Sequence, residues 1–171
     1  MKIVIKILNG ILHWTITVFF LTMVFLVFFN VVLRYGFSSG ITWSEEMSRY
    51  LFVWIVFLGA IVAYKEKAHL AVDVLIGALP RKLQKVLYTI NNLIVITVLA
   101  LFIDGGLQMF ESASNSYGPA TGVPLSFLYL AGLISAFTMA ALAVIQTIEF
   151  VFFNKSDPPW AKPIKGGEEN I

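Results

Sequence analysis

The sequence contains no cysteine, and only 13% of its 171 residues are charged. Without cysteine, disulfides, thiolate metal sites, iron–sulfur clusters and cysteine nucleophiles are all excluded. Histidine is scarce too: His13 and His69 are the only two, and they are not spaced as a ligand pair. We therefore expect no catalytic residue, no cofactor and no metal site. The net charge of +2 is too small to indicate nucleic acid as a partner.

Hydrophobic residues dominate instead. They make up 58% of the chain, against about 45–50% in soluble domains. They fall into four runs, at about 11–33, 44–64, 83–103 and 125–153. Each run is long enough, as a helix, to cross a hydrocarbon core of roughly 30 Å. The pattern predicts an all-α integral membrane protein with four transmembrane helices in one domain, residues 1–155.

The segments between and after the runs differ in character. Residues 68–79 are too short to cross and stop at Pro80; their apolar and polar sides predict an amphipathic helix lying in the interface plane. Residues 104–124 are rich in Gly, Ser, Asn and Pro, carry Asp104, and predict a polar loop. Residues 156–171 are polar and rich in Pro and Gly, which predicts a disordered tail.

Lysine and arginine are distributed unevenly between the two sides of the predicted membrane domain. Ten of the twelve lie at the N-terminus, in the second connection or in the tail, while Arg34 and Arg49 lie on the other side. The positive-inside rule therefore predicts that both termini are cytoplasmic. The first run is longer than the apolar core of about 7–15 residues in a signal peptide, so we expect a retained helix.

A charged cluster opens the second run. Glu45, Glu46 and Arg49 are spaced i,i+3 and i,i+4 and can share one side of a helix. Thr42 and Glu45 have the spacing of a capping box. Two interpretations stay open: the residues cap the helix and fix its depth, or they dock onto a partner in the membrane. A catalytic carboxylate pair is disfavoured because no nucleophile, base or metal set accompanies it.

Two further polar pairs are candidates for contacts. His69 and Asp73 are spaced i,i+4 and could hydrogen-bond as in a catalytic dyad. No serine is placed to serve as nucleophile, so a structural or partner-facing pair is favoured. Asn91 and Asn92 lie inside the third run, where buried amides seek a partner helix. Helix–helix contact is favoured over ion ligation.

The four runs offer little material for a translocation site. All six prolines fall outside the runs or at their edges, and no acidic residue is expected near mid-membrane. Gly132, Ala136 and Ala140 form a small-residue stripe that lets another helix approach closely. These features suit an accessory subunit. The alternatives are an autonomous small transporter that acts as a homo-oligomer, and a membrane enzyme or redox subunit, which the missing ligand and nucleophile sets disfavour.

Several residues stand in an order and spacing that identify a family. They are Asn30, Arg34, the motif Trp43-x-Glu45-Glu46-x-x-Arg49-Tyr50 leading into LFVWIVFLGA, and His69-x3-Asp73 before Pro80. With these residues, the sequence resembles the small membrane subunit (DctQ-type) of tripartite ATP-independent periplasmic (TRAP) transporters. The likeness in order and spacing covers residues 30–82, and the four-span layout extends it to the whole chain.

The resemblance implies a partnership in a bacterial inner membrane. A large TRAP membrane subunit would carry substrate with a coupling ion, usually Na⁺, and a periplasmic substrate-binding protein would deliver the substrate. This chain would be a non-catalytic scaffold beside the large subunit, embedded among membrane lipids. Family substrates are organic acids such as C4-dicarboxylates or sialic acids, and the whole-chain likeness leans toward sialic acid. Fused forms exist; the end of the chain after the fourth span implies the separate form.

Overall fold

The computed structural model of the chain describes residues 2–65 and 81–148. These residues form four α-helices and contain no strand: α1 (Lys2–Gly36), α2 (Thr42–Lys65), α3 (Arg81–Ala113) and α4 (Ser126–Ile148). Each helix contains a stretch long and apolar enough to cross a membrane. The prediction of four apolar helices is therefore confirmed. The predicted interfacial helix at 68–79 and the tail at 156–171 lie outside the described residues.

The loop predicted over 104–124 is wrong in its first half, because α3 continues to Ala113. The cause is packing of α3 against α4. A stripe along α3 stays less exposed than its neighbours and is formed by Leu99, Ile103, Gly106, Phe110 and Ala113. Gly106 allows the closest approach: a Cβ there would lie 2.9 Å from Cδ2 of Leu133 on α4. Packing against α4 thus extends the helix through residues whose local preference favours a turn.

This extension changes the position of Asp104. The residue lies inside the candidate span Thr89–Ala113, not in a loop. The expectation that no acidic residue lies near mid-membrane therefore does not hold for Asp104, which is close to the midpoint of that candidate span.

The four helices are arranged as an open row. α2 packs against α1 and α4, and α4 packs against α3. Among the described residues, α1 contacts neither α3 nor α4. The order across the row is therefore α1–α2–α4–α3, with α1 and α3 at its two ends. Each end helix has one side that no other described helix covers.

Two ends of the domain can be distinguished along the helix axes. The Thr42 end contains the last turns of α1 and α3 and the first turns of α2 and α4; the Lys65 end is opposite. At the Lys65 end, the ammonium of Lys65 hydrogen-bonds the side-chain oxygen of Asn9, which links α2 to α1. Nearby, Nδ2 of Asn92 donates to Oγ1 of Thr147 at 2.7 Å, which links α3 to α4.

Small residues in α4 bring the middle of the row together. Ser135 is fully buried, and its hydroxyl donates to the backbone carbonyl of Phe57 at 2.9 Å. A Cβ at Gly132 would lie 3.2 Å from Cζ of Phe57 and 3.4 Å from the ring of Phe102. The predicted small-residue stripe therefore packs against α2 and α3 of the same chain. Ala136, next along it, is 1% exposed.

An aromatic series joins α1, α2 and α4. The ring of Trp54 lies 6.5 Å from that of Phe19 in an edge-to-face arrangement, and 5.4 Å from that of Phe127. Such pairs stabilise beyond their buried area by about 0.5–1.5 kcal/mol. They position the middle of α2 against both neighbours.

Candidate functional site

The candidate site is the Thr42 end, where two connections meet the first turns of α2. One is the short turn between α1 and α2, and the other is the loop between α3 and α4, residues 114–125. The charged cluster predicted from the sequence lies between them. Its members separate, each toward a different neighbour.

Glu45 turns toward α1. Oε1 of Glu45 accepts hydrogen bonds from Nη1 of Arg34 at 3.3 Å and from Nδ2 of Asn30 at 3.4 Å. Asn30 is buried, and its Oδ1 accepts from the backbone N–H of Ile41 at 2.7 Å. Asn30 thus fixes the entry of the chain into α2. The Arg34–Glu45 pair is about two-thirds exposed, so it contributes little to stability by itself.

Glu46 turns the other way, toward the α3–α4 loop. Its Oε2 accepts from the backbone N–H groups of Ala120 and Thr121, both at 2.9 Å. One turn along, the hydroxyl of Tyr50 donates to the carbonyl of Val123 at 3.1 Å. A carboxylate that accepts two backbone N–H groups forms strong, charge-assisted hydrogen bonds. α2 therefore holds a loop that is more than seventy residues away in the chain.

Gly118 makes room for this contact. A Cβ at this position would overlap the carboxylate of Glu46. Within the loop, the N–H of Gly118 donates to the carbonyl of Val123 at 2.9 Å, and its own carbonyl accepts from Gly122 at 2.9 Å. Gly122 has a φ of +70°, which favours glycine. Both glycines serve the loop that Glu46 fastens.

The capping box predicted for Thr42 and Glu45 does not form. Among the hydrogen bonds of the described residues, none joins Thr42 to Glu45, because the Glu45 carboxylate is directed to α1. The first-turn carboxylates still suit the positive end of the α2 dipole. Their main contacts, however, tie α2 to the two connections at the Thr42 end.

Arg49 and Trp43 remain available at this end. Arg49 is exposed and makes no ion pair with any described residue. It lines a shallow cavity of about 220 Å³ together with Glu46, Tyr50 and Pro119. The side chain of Trp43 is 46% exposed. A guanidinium without an ion pair to a described residue can bind an anionic group of another molecule, and an exposed tryptophan can pack against an apolar one.

The other predicted candidates fall elsewhere. Asn92 is 5% exposed and contacts Thr147, so helix–helix contact holds for this residue within the chain. Asn91 has no hydrogen bond to a described residue. Ala140 is half-buried on α4, beyond Gly132 and Ala136 in the same stripe. His69 and Asp73 lie outside the described residues.

One feature of α3 was missed at the sequence level. Asp104, Gln108 and Glu111 are all exposed on the helix, with Nε2 of Gln108 3.3 Å from Oδ2 of Asp104. The signal that identifies it is the repeat of the α4-facing stripe at steps of four and three, which continues through the glycines to Ala113. Gly105 and Gly106 obscured it, because paired glycines usually indicate a turn.

Known proteins show clear similarity to this chain. The family model described as tripartite ATP-independent periplasmic transporters, DctQ component, matches residues 23–152. A putative TRAP transporter small permease protein of Haemophilus influenzae is 41% identical over 128 residues, which cover 75% of this chain and 80% of the relative.

Two further relatives carry more specific names. The sialic acid TRAP transporter permease protein SiaT of Haemophilus influenzae is 29% identical over 146 residues, which cover 85% of this chain but 24% of SiaT. The C4-dicarboxylate TRAP transporter small permease protein DctQ of Vibrio cholerae is 38% identical over 77 residues, covering 45% of this chain and 33% of that protein.

Proposed function

Because this chain belongs to the DctQ family of TRAP transporter components, as its motif predicted, we propose that it is the small permease subunit that scaffolds a large membrane subunit and moves no solute itself. It is a multi-pass membrane protein with four membrane-spanning helices. The finer proposals concern its partner, substrate and orientation.

The open row of helices is the observation that carries the scaffold role. A solute path needs polar walls on several sides, whereas α1 contacts neither α3 nor α4 within the described residues. The four described helices of one copy therefore enclose no passage between them. Among the acidic residues of the candidate spans, Asp104 lies nearest the middle, but it is on the side of α3 away from α4. An autonomous transporter finds no support in this arrangement.

The length of SiaT supports a large partner. This chain aligns with only 24% of that permease protein, so a much larger part of SiaT has no counterpart here. We infer that a separate large membrane subunit supplies that part and forms a stable heterodimer with this chain. A periplasmic substrate-binding protein would visit the pair transiently.

The proposed substrate is an organic acid, taken up with a coupling ion such as Na⁺. The named relatives belong to sialic acid and C4-dicarboxylate systems. Sialic acid is the first substrate to test, since the alignment with SiaT covers 85% of this chain. In the proposed orientation, both termini are on the cytoplasmic side of the inner membrane, and the Thr42 end faces the periplasm.

Reconstitution tests this proposal. Liposomes would receive this chain alone, the large subunit alone, or both, with the binding protein and labelled sialic acid or succinate outside and an inward Na⁺ gradient. We expect uptake only when both membrane subunits and the binding protein are present. Uptake by this chain alone would overturn the scaffold role, and full uptake by the large subunit alone would overturn the requirement for this chain.

A further inference from the structure

The free side of α3 carries a polar stripe at an unusual depth. We define the α3 stripe as Leu101, Asp104, Gln108 and Glu111, all exposed. Their spacing of three, four and three residues places them on one side of the helix. Leu101 is 68% exposed, so the stripe lies open to whatever surrounds the chain.

The α3 stripe faces away from the rest of the row. The opposite side of α3 contacts α4, where Gly106 meets Leu133 and Asn92 meets Thr147. At 3.6 residues per turn, Gln108 lies about half a turn around the helix from that side. The only other described helix that reaches α3 is α2, through the rings of Phe57 and Phe102, whose centroids are 6.2 Å apart.

Asp104 lies well inside the span. It precedes Ala113, the last residue of α3, by nine residues, which is about 14 Å along the axis. A second marker agrees: neighbouring Gly106 lies against Leu133, seven residues into α4. Lysine and arginine can extend from such a depth to the membrane surface, but the aspartate side chain is too short to do so.

The described residues around Asp104 supply only part of the hydrogen bonds that its carboxylate can accept. The amide of Gln108 donates one hydrogen bond to Oδ2 at 3.3 Å. A carboxylate can accept about four, and no described cation lies within ion-pair distance of Asp104. Toward the Lys65 end, Val98 and Ile94 are apolar and each 57% exposed, and the exposed hydroxyl of Thr97 donates to the carbonyl of Leu93 in its own helix. Acidic residues in spans usually pair with a basic group or a protein interior.

We propose that the α3 stripe is the surface on which a transmembrane helix of the large subunit docks, with a lysine or arginine of that helix opposite Asp104. The proposal rests on the function proposed above and adds the face and the chemistry of the contact. Charge complementarity selects the occupant, because lipid chains offer neither a positive charge nor a hydrogen-bond donor at this depth. Leu101 supplies an apolar contact beside the ion pair.

Charge reversal at Asp104 tests the proposal, with a matched control on α1. The chain would be tagged, co-expressed with its large subunit, and purified as Asp104→Lys or as Thr22→Lys. Thr22 is also exposed and lies fourteen residues before Gly36, the last residue of α1, so it introduces a cation about 21 Å inside the other end helix. We expect Asp104→Lys to reduce the co-purified large subunit roughly tenfold or more, and Thr22→Lys less than about twofold.

Conservative variants separate docking from folding. Asp104→Glu should retain assembly, and Asp104→Asn, which preserves size, should lose an intermediate amount. The quantity of this chain in the membrane and its elution profile in detergent should not change in Asp104→Asn. If Asp104→Lys fails to accumulate in the membrane, the amount of large subunit that co-purifies with Asp104→Asn decides whether the proposal holds.

Three outcomes count against the proposal. Undiminished co-purification in Asp104→Asn and Asp104→Lys would overturn it while leaving the scaffold role intact. Loss of a second, differently tagged copy of this chain, with the large subunit retained, would assign the face to self-association instead. Failure of the unmodified chain to co-purify would overturn the proposed function as well.

Discussion

The two ends of the helix row, α1 and α3, present free sides of different chemistry. On α1 the exposed residues are mostly large and apolar, such as Phe25 and Phe28. The exposed hydroxyls of Thr17 and Thr22 donate to carbonyls one turn earlier in the same helix, both at 2.8 Å. Every polar hydrogen of these threonines is therefore satisfied locally, and α1 can face lipid.

On α3, the carboxylate of Asp104 cannot form all its hydrogen bonds within its own helix. The backbone of a helix offers no free N–H to a carboxylate in mid-span, since each is bonded to a carbonyl four residues earlier. Asp104 receives one bond, from Gln108. An aspartate at the centre of a spanning helix costs roughly 2.5–3.5 kcal/mol on insertion scales. The two helices differ in the kind of polar group they expose. A hydroxyl can bond within its own helix and face lipid, whereas a carboxylate cannot complete its hydrogen bonds there and requires a partner.

A larger residue at Gly132 should have the largest effect of the variants considered, because it separates α3 from the rest of the row. The side chain of Gly132→Leu would collide with Phe57 and Phe102. We expect a loss of about 1–3 kcal/mol in the free energy of unfolding, measured by tryptophan fluorescence in mixed micelles. Gly59→Leu is the control, since a Cβ there meets nothing within 4 Å. Equal destabilisation by both variants would contradict the packing described.

Glu46→Gln and Glu45→Gln compare how the two connections are held. Glu46→Gln removes the charge from two hydrogen bonds to the α3–α4 loop. Amide hydrogen exchange at Ala120 and Thr121 should therefore become faster, corresponding to a loss of about 1 kcal/mol in the free energy of protection. Glu45→Gln removes the charge from an exposed ion pair with Arg34 on α1. The protection free energy of the α1–α2 connection should fall by about half as much or less. A larger effect at Glu45 would reverse the assignment.

A double-mutant cycle at the Lys65 end should give a smaller effect. Asn92→Ala and Thr147→Val each remove one partner of the 2.7 Å hydrogen bond between α3 and α4. Interhelical hydrogen bonds in membranes average about 0.6 kcal/mol and reach about 1.7. We expect a coupling energy in that range from unfolding in mixed micelles. Additive single effects would indicate that the bond does not attach α3 to α4.

Thr22→Val should have the smallest effect and sharpens the α1 side of the comparison. Valine retains the shape of threonine and removes a hydroxyl that bonds only within its own helix. We expect a change within about 0.5 kcal/mol in stability and unchanged assembly with the large subunit. Gln108→Leu on α3, in contrast, should weaken assembly measurably. If Thr22→Val impaired assembly and Gln108→Leu did not, the two faces would have exchanged roles.

Much of the fold could be predicted from the sequence, because four long apolar runs leave few alternatives in a membrane. The end of α3 could not be predicted by local rules. Asp104, Gly105 and Gly106 favour a turn by composition, and only the contact of Gly106 with Leu133 makes a helix the better solution. Tertiary packing overrides local preference there.

The charged cluster shows a second limit. Spacing placed Glu45, Glu46 and Arg49 on one side of α2 and suggested one patch. Spacing within a helix carries no information about a loop seventy residues later, so the bond from Glu46 to Ala120 was not predictable. The result is a division of roles: the two glutamates bind connections of this chain, and Arg49 has no ion pair with a described residue.

Spin labels on α1 and α3 can report which of the two end helices the large subunit covers. Since the chain has no cysteine, Leu101→Cys and Phe25→Cys each accept a single nitroxide label, at positions 68% and 61% exposed on α3 and α1. Electron paramagnetic resonance would report the accessibility of each label to oxygen dissolved in the bilayer, with and without the large subunit. We predict that accessibility at position 101 falls severalfold on assembly while position 25 does not change. An assembled complex in which position 101 stays accessible, or position 25 becomes protected instead, would contradict the account.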